Sequence, residues 1–151
     1  MLDGEAAAAA VQEWSRIVHA ADAAMALAAA RLSASGLPSM YGAVDARDLV
    51  AKTTGVTAAR AGDAIQRGAR LAERAATRAA ATSGLLSSDQ ARAIADAAAV
   101  NPDAEEDLLG AARQLSVGEL RQRCARAKAE KQDLEQLEVP GPDAPVRPSM
   151  A

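Results

Sequence analysis

Phenylalanine is absent from this 151-residue chain, and tryptophan, tyrosine, histidine and cysteine occur once each. Each scarcity excludes something. The single imidazole, His19, sits in an alanine-rich stretch, which leaves no Ser–His–Asp set and no Cys–His pair, because both need the ring beside the nucleophile. One His and one Cys fall short of the four or so ligands of a structural zinc site. The lone Cys124 excludes an internal disulfide framework and, between Arg123 and Ala125 in a helical pattern, reads as a small apolar packing residue. No Gly-rich run is followed by Lys and Ser or Thr, so there is no phosphate loop. Acids are plentiful, but no motif gathers two in a pocket. The sequence therefore assigns no catalytic residue, no metal ligand and no cofactor, and an enzyme is not expected.

What is there is alanine. The chain has 42 Ala against 14 Leu, 9 Val and 3 Ile, so more than half of its apolar residues are the smallest one. Alanine loses no side-chain entropy in a helix and permits close helix contacts, whereas a buried leucine contributes roughly 1.5–3 kcal/mol that a methyl group does not. High helicity around a thin core is expected. The longest Ala-rich run, Ala20 to Leu32, is interrupted by Asp22 and Arg31, so the chain reads as soluble and cytoplasmic, with no membrane partner. Net charge is −3, unevenly spread: residues 47–92 carry eight Arg or Lys against four acids, and the stretches on either side are net acidic.

Glu5 to Ser35 has neither Gly nor Pro and predicts one continuous helix. Within it Val11, Trp14, Val18, Ala21, Met25, Ala28 and Leu32 alternate at three and four residues, the seam of a coiled coil or an antiparallel hairpin. His19 lies beside it. Gly36 to Gly42 is a turn. Asp45 caps a short helix from Ala46 to Thr54, Gly55 ends it, and Thr57 caps the next, running from Ala58 towards Thr82 with Gly62 and Gly68 as weak points. Ser87 with Gln90, and Ser116 with Glu119, each fit a capping box. Asn101 reads as a cap with Pro102 at the first helical position, and Asp103, Glu105, Glu106 and Asp107 crowd the first turn, as the helix dipole favours. From Val117 to Glu138 a last helix carries Val117, Leu120, Cys124, Ala127 and Leu134 on one stripe. Four prolines after it mark residues 139–151 as a disordered tail. The expected fold is all-α: an irregular bundle of about six helices, long at both ends, as one domain over residues 1–138.

The most specific local pattern is Val50, Ala51, Gly55, Val56 and Thr57, which fits the first helix and turn of a helix-turn-helix unit. Arg60, Arg67, Arg70, Arg74 and Arg78 follow at helical spacing on one face, a stripe suited to phosphate contacts. The same stripe is also what a solvated arginine face looks like.

Three blocks in order, DLVAKTTGVTAARAGDAIQRGARLAE, SGLLSSDQARAIADAAA and AEEDLLGAARQLSVGELRQRCARAKA, resemble the helical domain of unknown function in actinobacterial 13E12 repeat proteins, over about residues 46–128. In that family the domain usually precedes an HNH endonuclease module. This chain has no stretch matching that module, so the resemblance implies a place beside nucleases without nuclease activity. Two expectations follow. One is a non-catalytic helical module that binds DNA or positions a nuclease through Arg60, Arg67, Arg70, Arg74 and Arg78, with Gly55 and Thr57 shaping the turn. The other is a homo-oligomerising or protein-interaction helix bundle, its seam being Val11, Trp14, Val18, Met25 and Leu32. A truncated copy without function would look the same.

Overall fold

The computed structural model describes residues 3–37 and 42–138; the proline-rich tail and most of the Gly36–Gly42 turn lie outside them. Among the described residues there are seven α-helices and no strand: α1 Gly4–Ser35, α2 Ala46–Thr54, α3 Ala58–Ala72, α4 Ala75–Thr82, α5 Ser88–Val100, α6 Glu105–Ala111 preceded by the 3-10 turn Pro102–Ala104, and α7 Val117–Glu138. The all-α fold with a long first helix is as expected from sequence.

The helix ends are set locally. Asp45 accepts from the Asp48 amide at 2.8 Å and Thr57 from the Arg60 amide at 3.3 Å, each satisfying an orphan donor of its first turn. Gly55 closes α2 in the left-handed region, φ 73°. Ser87 and Gln90 form the reciprocal box, as do Ser116 and Glu119, whose carboxylate accepts from the Ser116 amide at 2.8 Å and the Ser116 hydroxyl at 2.7 Å. Those two donors hold the Glu119 carboxyl below the usual glutamate range.

Asn101 stands at the cap position with Pro102 first in the 3-10 turn, as expected, but its side chain makes no capping bond. Its Nδ2 donates to the Ala127 carbonyl at 2.9 Å, tying the end of α5 to α7. The expected helix from Ala58 to Thr82 is also two helices. Arg74 leaves helical geometry (φ −122°, ψ 87°) and makes no capping bond with its side chain. No Gly or Pro marks this break; a distant residue supplies it. Glu105, at the start of α6, accepts from both the Thr77 amide (3.1 Å) and the Thr77 hydroxyl (2.6 Å), so the first turn of α4 is capped from another helix. Thr77 is completely buried, and without Glu105 both donors would be left in a dry interior. Glu105→Ala is therefore expected to cost roughly 2–3 kcal/mol, read as a lowered thermal midpoint, with Glu105→Gln lowering it less.

The main core gathers Leu71, Leu86, Ile94, Leu108 and Leu120 with Ala81, Ala91, Ala97, Cys124 and Ala127. Cys124 is buried, and burial pushes its thiol up, away from the thiolate that a nucleophile needs. A second, smaller core joins Ala29 of α1, Val50 of α2 and Ala61 of α3, flanked by Leu32, Val56 and Ile65.

α1 and α3 form the most extensive helix pair in the fold, and Gly68 sets their separation. A Cβ placed on Gly68 would lie 1.9 Å from the Ala26 carbonyl oxygen. Gly68 is thus the point of closest approach rather than the weak point its sequence suggests. Gly84, at the turn after α4, packs on α1 in the same way, its would-be Cβ 2.3 Å from the Arg16 carbonyl oxygen. N-terminal to that contact, no described residue of α1 is buried, so Gly4 to Ser15 forms an arm leaving the bundle.

Candidate interaction surface

The five arginines do not share one face, because the chain breaks at Arg74. Arg60, Arg67 and Arg70 are on α3, Arg74 is in the break and Arg78 is on α4. Three are engaged within the fold. Arg67 grips both oxygens of Asp22 on α1 at 3.0 and 2.9 Å, Arg70 pairs with Asp96 on α5, and Arg78 donates to the Ala72 carbonyl at 2.7 Å, closing the end of α3 that the break exposes. α3 itself packs on α1, α2, α4 and α5. At its amino-terminal end, where a recognition helix would meet base edges, Ala58, Ala59, Arg60 and Asp63 are exposed. Gly55 and Thr57 shape the turn as expected, but the helix that follows is the centre of the bundle.

The Arg67 side chain is only 16% exposed. Arg67→Ala would strand Asp22 in a partly dry site and is expected to destabilise the fold by about 2 kcal/mol. Thermal unfolding without any nucleic acid checks this, since a solvent-facing phosphate contact would leave the midpoint unchanged.

α1 offers a different surface. Its bundle side is small: Ala23, Ala26 and Ala29 are buried, and Ala30 touches Gly68. Leu27 alone of its large apolar side chains packs on the main core; the large ones towards its amino-terminal end point the other way. Val11 is 67% exposed, Trp14 64% and Val18 59%, and Ile17 and Met25 are about half exposed. With Val11 at position a of a heptad, Val11, Val18, Met25 and Leu32 occupy a and Ala7, Trp14, Ala21 and Ala28 occupy d. Ala23, Ala26, Leu27 and Ala30, packed on the bundle, fall at f, b, c and f, opposite the stripe, while Asp22 and Ala29 at position e hold the bundle along one flank of it. The seam in the sequence is therefore real as a stripe but is not core. Of its large members, Leu32 is partly covered by the smaller core and Met25 is about half covered.

The stripe is also neutral. Position e carries Ala8, Ser15, Asp22 and Ala29, and position g carries Ala10, Ile17, Ala24 and Arg31; Glu5, Glu13 and Arg16 lie at b, c and f. Near Met25 the stripe becomes one wall of an apolar groove of about 230 Å³, closed on the other side by Leu49, Val50 and Thr53 of α2.

α7 also extends past the bundle, and none of its residues after Ala127 is buried. Its expected stripe stops there: Val117 is half-buried and Leu134 is exposed. That projecting end carries Lys128, Glu130, Lys131, Asp133, Glu135 and Glu138, enough charge to stand in water alone.

α1 is the one described helix long and apolar enough, by length and composition, to cross a membrane. The same stretch holds Ala23, Ala26 and Ala29 against the bundle and Asp22 against Arg67. Among the described residues no cluster of three or more His, Cys, Asp and Glu could hold a metal ion. No protein-family model, curated protein or solved structure matches this chain.

Proposed function

We propose that this protein is a non-catalytic helical module that self-associates through the outer face of α1. The observation that carries this reading is the division of α1 into two apolar faces: alanines against its own bundle, and Val11, Trp14, Val18 and Met25 bare on the opposite side. A helix apolar on both faces is an interior helix, and here one neighbour is missing. Val11, Trp14, Ile17, Val18 and Met25, each about half exposed or more, make one run of large apolar side chains along the helix, the kind of contiguous apolar patch that marks an interaction surface. A helix lying on a lipid surface would flank such a stripe with Lys and Arg, whereas Asp3 to Arg31 holds four acids and two arginines.

The basic stretch, with three of its arginines committed inside the fold, supports nucleic-acid binding less well. The 13E12 likeness is compatible with an assembling module that sits beside a nuclease. Trp14, the only tryptophan, reports on the proposed surface. Its emission is expected to be blue-shifted at high protein concentration and to move red on dilution, as the ring leaves a dry contact for water. Solvent-exposed emission at every concentration contradicts the reading. So does emission that turns blue only on adding lipid vesicles.

A further inference from the structure

The arrangement of large and small residues along the outer face of α1 goes beyond self-association and fixes how two copies meet. Resting on the reading above, we propose that two α1 helices pair antiparallel over their whole seam, the alanine-rich arm of each chain lying in the α1–α2 groove of the other.

In an antiparallel pair, a positions face d positions. When residues whose numbers add to 39 meet, Ala7 faces the partner's Leu32, Val11 the partner's Ala28, Trp14 the partner's Met25, and Val18 the partner's Ala21. Each alanine then lies against a larger aliphatic side chain, and the two largest seam residues, Trp14 and Met25, meet as a sulfur–aromatic contact. A parallel, in-register pair does the opposite. It stacks Trp14 on itself and sets Ala7, Ala21 and Ala28 each against its own copy, so the spacing between helices would have to swell and shrink along the seam, against the close packing that interfaces keep.

The flanks agree. In the antiparallel register Asp22 comes opposite the partner's Ser15 and Arg31 opposite the partner's Ala10, so no like charges meet. Overlap from Ala7 to Leu32 spans roughly 38 Å at 1.5 Å per residue, and it brings Ala7, Ala10 and Val11 over the groove between Met25 and Leu32 of α1 and Leu49 and Thr53 of α2. An alanine-faced helix is thin enough to lie between two others. Among the described residues most of each bundle sits on the far side of its own α1, and only α2 lies beside the seam, as the wall of the groove that receives the partner's arm. The arrangement is two-fold and closed, a dimer rather than a filament.

Cysteine cross-linking of the full-length chain tests the register. Val11→Cys and Ala28→Cys together place thiols at facing positions, whereas either alone puts the two copies of that residue roughly 25 Å apart along the axis. Under mild oxidation the double variant is expected to run mainly as a covalent dimer on a non-reducing gel and each single variant as a monomer; the native Cys124 is buried. Cross-linking by Val11→Cys alone overturns the antiparallel register while leaving self-association standing. A double variant that sediments as a dimer but does not cross-link overturns it equally. If the unmodified chain sediments only as a monomer, the register falls together with the reading it rests on.

Discussion

Replacing Gly68 by alanine is expected to destabilise the protein by about 3 kcal/mol, although the change is from a poor helix former to the best one. In an exposed helix the substitution would gain roughly 1 kcal/mol. At Gly68 the new methyl carbon would lie 1.9 Å from the carbonyl oxygen of Ala26 and 2.4 Å from its carbonyl carbon. Both are backbone atoms inside a continuous helix and have no rotamer to escape into. α1 and α3 would have to separate along their length, loosening the small core of Ala29, Val50 and Ala61 and stretching the Arg67–Asp22 pair. Overpacking of this kind costs about 1–3 kcal/mol and sometimes more; because the small core and the ion pair would both be weakened, the upper end applies. The thermal midpoint should fall by on the order of 10 °C. As a control, Gly110→Ala, where a Cβ meets nothing within 4 Å, is expected to be neutral or mildly stabilising.

The second large effect concerns assembly rather than folding. Val18→Asp with Met25→Asp puts two carboxylates on the outer seam of each chain. In the isolated chain Val18 is mostly in water and Met25 about half exposed, so the unfolding transition of a monomer should change far less than its pairing. In the pair, four carboxylates would be driven into a dry seam with no cation facing them, at several kcal/mol in effective desolvation. A weakening of at least about a thousandfold in the dimer dissociation constant is expected, each factor of ten being about 1.4 kcal/mol. A core substitution lowers stability at every concentration, whereas this one should matter chiefly where the wild-type chain is paired.

Much of the local architecture is legible in the sequence because its causes are local. Asp45, Thr57, Ser87 with Gln90, and Ser116 with Glu119 begin helices where their spacing says they should. The break at Arg74 is not legible because its cause, Glu105, acts on Thr77 from 28 residues further along the chain. The arginine stripe misleads for a related reason. Helical spacing places Arg67 and Arg70 near one another, but not the aspartates that take them: Asp22 is 45 residues from Arg67, and Asp96 is 26 from Arg70. α1 is the most instructive case. Its pattern marks Val11 to Leu32 as a contact surface, and large side chains are ordinarily what a core selects. Where α1 crosses α3 this bundle uses Ala26 and Ala30 of the opposite face, because only small side chains let α1 settle on Gly68, and Leu27 reaches the main core beside them.

Sedimentation equilibrium of the wild-type chain beside the Val18→Asp, Met25→Asp variant decides whether the outer face of α1 pairs. The wild-type mass is expected to rise with concentration to that of two chains, while the variant, still helical, stays at the mass of one. A wild-type chain that remains a monomer throughout, or a variant that still pairs, would contradict self-association through α1.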